Sequence, residues 1–247
     1  MSWIKRTFEN KLKKRLAKLP IESLLVEMTN NSYFFPYNFW KKYFDKSSIE
    51  SGKWISWFAT RQAEKIDDKS QADILKETIE KETTEKLIKR KAYFCLGHLA
   101  KNLKDKEIFE YLVNKLETET EDNQETILIA LTNAIKPIDY NLNPIVNILK
   151  NGNLRMKTNA TISLKHSENP NIETHLLNSF QEEKNKHLQE MIATTLRDIG
   201  TEKSLPILIE KLKIAKGNEY KYFLESAVKE IETRMHTTAN TRYKQFG

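Results

Sequence analysis

Residues 196–212 read LRDIGTEKSLPILIEKL, and they contain the clearest indication of the fold. Leu196 and Ile199 lie on one face of a helix, and Gly200 follows where a glycine commonly ends the last turn. Pro206 stands where a second helix begins, because proline fits the first helical turn. Mostly apolar residues follow it. The stretch predicts a hairpin of two short helices.

The first helix of this hairpin recurs along the chain. One apolar residue repeats at separations of 35, 33, 32 and 32, and we call this set the reference column: Leu96, Leu131, Leu164, Leu196 and Val228. The residue before each is small, and those four before and three after are apolar or small. These offsets trace one face of an α-helix. We call these the A helices.

The second helix recurs in the same way. Its apolar residues are separated by 33, 31 and 32 positions: Leu116, Leu149, Phe180 and Leu212. The residue four positions earlier is again apolar in each case. We call these the B helices. No single hairpin can bury both apolar faces, whereas stacked hairpins share one continuous core.

The period, together with the Gly200 and Pro206 positions, resembles HEAT-like repeats, most closely over residues 186–216 and also over 88–185. The resemblance implies an all-α fold, a right-handed α-solenoid of about four or five hairpins. It further implies that the B helices line the concave surface, where partners dock.

The pattern also predicts a domain organisation. Residues 1–53 form a basic, aromatic-rich helical cap, and residues 54–235 form the repeats, beginning with an irregular one. Residues 236–247 carry no apolar pattern, so we expect a frayed tail.

Composition narrows the class of protein. Six Gly and six Pro in 247 residues are too few for the turns of an all-β fold. The single cysteine allows no internal disulfide, which favours a reducing compartment. No apolar run reaches the roughly 20 residues of a membrane helix, and no secretory signal is visible. A cytoplasmic protein is expected.

The net charge of +7 is confined to the start of the chain. Residues 1–65 hold 13 Lys and Arg against 6 Asp and Glu, whereas the remainder holds 28 of each. A basic protein often binds nucleic acid, but here that indication applies only to the N-terminal segment.

The first eighteen residues predict an amphipathic basic helix with Phe8, Leu12 and Leu16 on its apolar face. Its basic residues are Lys5, Arg6, Lys11, Lys13, Lys14, Arg15 and Lys18. They form either an arm that binds nucleic acid, an anionic membrane surface or an acidic partner, or the solvated face of a capping helix. The cap is the preferred interpretation, because charged outer faces are common on capping elements.

Aromatic residues concentrate in the same region. Eight of the twelve residues at 33–44 are aromatic, and Trp54, Trp57 and Phe58 follow. Such residues stack on bases or anchor an interface. The preferred interpretation is a hydrophobic plug that seals the first repeat, since aromatics dominate core energetics.

A search for chemistry finds no phosphate-binding glycine loop, nucleophile elbow or zinc motif. We therefore predict no catalytic residue, no metal, no cofactor and no enzymatic activity. Cys95 belongs to the small column of an A helix and is expected to be a buried packing thiol. His98 and His166 share a repeat position that should face solvent.

One polar column of the B helices is a candidate binding surface. Its members and two neighbouring lysines are Asn114, Asn147, Asn178, Glu210, Lys115 and Lys211. Asparagines in a row can bind a peptide backbone, but they can also bond between repeats or be solvated.

Two functions follow. The leading hypothesis is a non-enzymatic scaffold that binds a protein or peptide along the B helices. The alternative is a nucleic-acid-binding protein related to the HEAT-like DNA alkylation-repair glycosylases, suggested by the basic start of the helix at 86–92. That family binds duplex DNA in a basic groove bearing Trp and Asp. Here no Trp follows Trp57 and the repeat region is neutral, although phosphate contacts require positive charge.

Overall fold

The structure, a computed structural model, describes residues 2–32 and 54–245, with side chains given for 6–32 and 54–237. Within these ranges the chain is all-α, as predicted, with thirteen α-helices, one 3-10 turn and no strand. An isolated parallel bridge joins Lys136 to Ser167. None of the described helices combines the length and hydropathy of a membrane span.

The chain divides into two compact units, Met1–Phe109 and Glu110–Gly247. The first unit contains α1 (Ser2–Leu16), α2 (Ile21–Glu27), α3 (Ile55–Ala63), α4 (Gln71–Glu80) and α5 (Lys86–Leu103), and α6 (Lys106–Lys115) crosses the division. The second contains α7 (Glu121–Leu131), α8 (Asn143–Asn151), α9 (Leu154–Ser163), α10 (Pro170–Glu182), α11 (Lys186–Ile199), a 3-10 turn (Glu202–Ser204), α12 (Leu205–Ile214) and α13 (Asn218–Gln245).

In the first unit α2 is the central element. It contacts α3, α4 and α5, while α1 packs on α3 and α4 packs on α5. Leu24 and Leu25 of α2 are buried, as are Phe58 of α3 and Ile79 of α4. The border predicted between residues 53 and 54 therefore lies inside one compact unit, because α2 buries its apolar face against helices that follow residue 54.

In the second unit the A helices α7, α9, α11 and α13 contact one another in chain order. Each B helix packs on the A helix that follows it, which pairs α8 with α9, α10 with α11, and α12 with α13. The B helices α8 and α10 also contact each other. Consecutive helices of one set are therefore neighbours in space.

The predicted apolar columns are the core of these helices. Fully buried members of the reference column are Leu96, Leu131, Leu164 and Leu196. Residues four positions before the B-helix column are fully buried too, namely Leu112, Ile145, Leu176 and Leu208. Val228 and Leu212, the last members of the two columns, are half-buried.

Side-chain hydrogen bonds join residues about one repeat apart. Thr195 Oγ1 donates to the Thr161 carbonyl at 3.0 Å, 34 positions away. Tyr220 OH donates to Gln189 Oε1 at 2.6 Å, 31 positions away. These bonds link α9 to α11 and α11 to α13, so successive A helices are joined by side-chain hydrogen bonds as well as by packing.

A buried carboxylate fixes the turn at Gly200. Glu173 of α10 is buried and accepts from the Thr201 backbone N–H at 2.6 Å and from the Ser204 hydroxyl at 2.6 Å. A Cβ at Gly200 would lie 2.5 Å from the Leu196 carbonyl oxygen and 2.9 Å from Ile231 Cδ1. The glycine is therefore required by close approach, since its φ of −65° suits any residue.

The last helix is longer than predicted. Residues 236–245, for which the sequence predicts a frayed tail, continue α13 to Gln245. Loss of the apolar pattern does not end a helix by itself, and no Gly or Pro interrupts this segment.

Candidate functional site

The predicted polar column lies on the exposed side of the B helices. Asn114, Asn147, Asn178 and Glu210 are exposed members of α6, α8, α10 and α12. Because α8 contacts α10, Asn147 and Asn178 belong to neighbouring helices. The polar column and the buried apolar residues belong to the same B helices, but they lie on different faces of these helices.

The amides of this column take little part in the packing of the described residues. Asn147 Oδ1 accepts a hydrogen bond at 2.7 Å from Asn151 Nδ2, one turn along the same helix. No hydrogen bond joins the column members of neighbouring B helices in the described part of the chain. Bonding between repeats, one alternative for this column, therefore does not explain it.

The two lysines beside the column lie over aromatic rings. Lys115 Nζ lies 5.6 Å from the centroid of the Tyr111 ring, and Lys211 Nζ lies 5.9 Å from that of Phe180. The second contact joins α12 to α10, so Glu210 and Asn178 stand on helices linked by Lys211. Both lysine side chains are half-buried.

Helix α1 carries the predicted basic arm. The exposed basic residues are Arg6, Lys11, Lys13, Lys14, Arg15 and Lys18, and the Lys5 side chain is outside the described part. Leu12 and Leu16 are buried, whereas Phe8 is 44% exposed. Arg15 Nη1 pairs with Glu27 Oε1 at 2.7 Å. The helix thus buries part of the expected apolar stripe, and its described basic side chains are exposed.

The charge of the chain follows the division into units. Residues 1–109 contain 23 Lys and Arg against 15 Asp and Glu, a net charge of +8. Residues 110–247 contain 18 against 19, a net charge of −1. The aromatic segment at 33–44 belongs to the basic unit but lies outside the described residues.

The first unit contains a cavity of about 530 Å³ that no sequence pattern predicted. Its lining comes from the end of α2, from α3 and from the first turns of α5: Met28, Thr29, Asn31, Trp54, Ser56, Trp57, Thr60, Arg61, Leu87 and Lys91. These segments are far apart in the chain, so no spacing could reveal the cavity. The only signal was the pair of tryptophans at 54 and 57.

Cys95 is a packing thiol, as predicted. It is fully buried, its Sγ lies 3.6 Å from Met28 Sδ, and burial raises the pKa of the thiol to about 12. A thiol that stays protonated at neutral pH is a poor nucleophile. Cys95 therefore offers no reactive group.

The prediction that both histidines face solvent is wrong for His98. Its ring lies 4.5 Å from the Phe94 ring, and burial lowers its pKa. His166 is exposed at the end of α9, with a φ of 59°. Its Nδ1 lies 3.1 Å from Asp198 Oδ2. No cluster of metal-binding side chains occurs among the described residues.

Lys136, for which no sequence pattern predicted a role, follows α7 and is fully buried. Its ammonium donates to the Ala134 carbonyl at 2.6 Å and to the Lys165 carbonyl at 2.7 Å. Burial lowers the pKa of this amine to about 7. The side chain ties the loop after α7 to the loop after α9, one repeat along the chain.

Comparison of this chain with family models, with curated proteins and with solved structures found no match.

Proposed function

We propose that the second unit is a stack of HEAT-like hairpins and that it binds an extended protein segment along its B helices. The sequential contacts of the A helices support the stack, as do the hydrogen bonds between residues 31 and 34 positions apart. A stack of this kind presents equivalent side chains at regular intervals. An extended peptide has a repeating backbone and can bond to such a row.

The exposed asparagine column is the observation that carries the binding proposal. Each amide has both a donor and an acceptor, which suits the N–H and C=O groups of a peptide backbone. Asn147 and Asn178 stand on helices that contact each other. Lys115 and Lys211 flank the column and favour a segment with acidic side chains.

Peptide selection tests this function. A random peptide library is selected against the full-length protein, and the dissociation constant of a selected peptide is measured by fluorescence anisotropy. The double substitution Asn147→Ala and Asn178→Ala should weaken binding about tenfold, because two hydrogen bonds are lost. The melting temperature should stay unchanged, since both residues are exposed.

Asn133→Ala is the matched control. Asn133 is an exposed asparagine that follows an A helix, outside the column. It should leave both affinity and stability unchanged. Selection of peptides whose binding ignores the column substitutions would refute the proposed surface, and a drop in stability without loss of affinity would show an architectural role.

Nucleic-acid binding by the first unit is a second candidate, supported by its net charge of +8 and by the exposed cations of α1. Binding through phosphates weakens steeply as salt rises, because bound counterions are released. The test is a titration of a fluorescent single-stranded and a duplex oligonucleotide at several salt concentrations. Absence of binding at low salt removes this candidate.

A further inference from the structure

The cavity of the first unit brings together three helices. Met28, directly after α2, lines the cavity, and its Sδ lies 3.6 Å from Cys95 Sγ of α5. Trp57 and Arg61 come from α3, one turn apart, and the Arg61 guanidinium lies 5.5 Å from the Trp57 ring centroid. Helix α5 adds an aliphatic and a cationic side chain to the lining.

The described lining residues of this cavity carry positive charge without a carboxylate among them. Leu87 and Lys91 lie one turn apart on α5, and both line it. Lys91 is half-buried, and within the described part of the chain it makes no hydrogen bond and no ion pair. The pKa of the Lys91 ammonium is lowered, mainly because partial burial removes water from the charged group. None of the described lining residues is Asp or Glu.

Arg61, the other cation of the lining, is already satisfied. Its Nη1 donates to both oxygens of the Glu64 carboxylate, at 2.7 and 2.8 Å. Among the described lining residues, Lys91 is thus the cation without a carboxylate partner. A partly desolvated ammonium gains most from an opposite charge, since both screening and hydration are reduced there.

The remaining walls are apolar and aromatic. Trp57 is half-buried and Leu87 is 41% exposed, so both present apolar surface to the cavity. The Thr60 hydroxyl donates to the Ser56 carbonyl and is left as an acceptor. The volume falls within the range of sites for small organic molecules.

A cavity of about 410 Å³ in the second unit differs in this respect. Its lysines, Lys150, Lys157 and Lys184, are accompanied by Glu182 and Glu183. Two carboxylates stand among these three lysines, so an anion bound there would meet like charge in the same wall. The described lining of the first cavity contains no carboxylate.

We propose that the cavity of the first unit binds a small organic carboxylate with a flat apolar body, its carboxylate on the Lys91 ammonium and its body between Trp57 and Leu87. One cation without a carboxylate partner suits a single negative charge, whereas a nucleic-acid strand needs a row of cations along its backbone. The site shares no residue with the B-helix surface proposed for the second unit.

The probe for this site is 2-naphthoate, and 2-naphthamide is its uncharged counterpart of the same shape. Quenching of tryptophan fluorescence gives the affinity, and saturation-transfer NMR on the probe confirms contact. Naphthoate should bind at least tenfold more tightly than naphthamide, because only it gains a charge-assisted hydrogen bond. Equal binding of the two probes, or no binding of naphthoate, overturns the proposal.

Substitution locates the site. Lys91→Met should remove the preference for naphthoate, while Lys101→Met, an exposed lysine on the same helix, should retain it. Leu87→Trp keeps the lysine but fills the cavity, and it should abolish the binding of both probes. The circular dichroism and melting temperature of each variant establish that it is folded. Retention of tight naphthoate binding by both cavity variants places the probe elsewhere and overturns the assignment.

A single-stranded oligonucleotide is added in a separate titration. Its displacement of naphthoate, with loss of both ligands in Lys91→Met, would assign the cavity to nucleic acid and overturn the small-carboxylate proposal. Naphthoate binding that the oligonucleotide leaves unchanged supports it.

Discussion

The helices of the two compact units pack in different ways. The second unit repeats one solution, with A helices in sequential contact and polar bonds between residues about one repeat apart. The first unit has α2 at its centre and contacts that follow no period. It also carries all the excess charge of the chain, +8 against −1. Regular packing therefore accompanies a neutral surface, and irregular packing accompanies a basic surface and a cavity whose described lining is cationic.

The largest effect is expected from a substitution in the core of the second unit. Leu196→Ala removes a fully buried member of the reference column. It should lower the free energy of unfolding by about 2–5 kcal/mol, through lost burial and the cavity left behind. Urea unfolding followed by circular dichroism measures it.

Ile129→Ala is the control for that change. Ile129 lies on α7 of the same unit but is 52% exposed, so its truncation should cost no more than about 0.5 kcal/mol. Similar losses for the two substitutions would mean that the reference column does not form the core.

The second-largest effect is expected at the Gly200 turn, where the buried Glu173 carboxylate accepts hydrogen bonds. Glu173→Ala leaves the Thr201 N–H and the Ser204 hydroxyl without their acceptor, which should cost about 2–3 kcal/mol. Glu182→Ala, an exposed glutamate on the same helix, should be nearly neutral. Thermal unfolding of both variants decides whether the buried carboxylate stabilises the turn.

A pH-dependent effect follows from Lys136. Its folded pKa of about 7 is below the unfolded value of 10.5. Above pH 7 the unfolded state therefore binds more protons than the folded state. Stability should rise between pH 7 and 9, by at most about 1.4 kcal/mol per pH unit. Above pH 9 the raised pKa of Cys95 opposes this rise.

Lys136→Met should flatten the rise. Urea unfolding of both proteins at pH 7, 8 and 9 compares the slopes. Parallel slopes would show that the amine stays protonated in the folded protein.

The smallest effect is expected on the basic surface of the first unit. Replacing the exposed Lys11, Lys14 and Lys18 by Gln should change stability by less than about 0.5 kcal/mol, because none of these cations supports the packing of α1. Leu16→Ala, on the buried face of the same helix, should cost several times more. If the triple variant unfolds as readily as Leu16→Ala, α1 depends on its charges and is not a simple packed cap.

Periodicity predicted the parts of the fold that depend on local pattern. The spacing of Leu131, Leu164 and Leu196 predicted their burial, because residues on one helix face share one environment. The division after Phe109 could not be predicted, since the apolar columns run across it without a break. The spacing likewise gave no sign that α13 continues to Gln245.

Some features of the candidate sites could likewise be predicted from the sequence, and others could not. The exposure of Asn147 and Asn178 follows from their offset to the buried face. Lys136 could not be recognised, because a lysine is rarely buried and one of its two carbonyl acceptors comes from the loop after α9, 29 positions away. The cavity requires Met28, Trp57 and Lys91 to meet, which is a consequence of tertiary packing alone.

The stacking of successive hairpins is tested most directly by cross-linking equivalent A-helix positions. Asn159 Nδ2 donates to Glu125 Oε1 at 3.2 Å, and Met191 is the equivalent residue of the next A helix. Three variants each carry two introduced cysteines, at 125 and 159, at 159 and 191, or at 125 and 191. Cys95 is replaced by Ala in all three. A short bifunctional thiol reagent should join the first two pairs but not the third, because helices pack 8–10 Å apart and the third pair spans roughly two such steps. Cross-linking of the 125 and 191 pair as fast as the other two would show helices gathered in a bundle and would contradict the stacked hairpins.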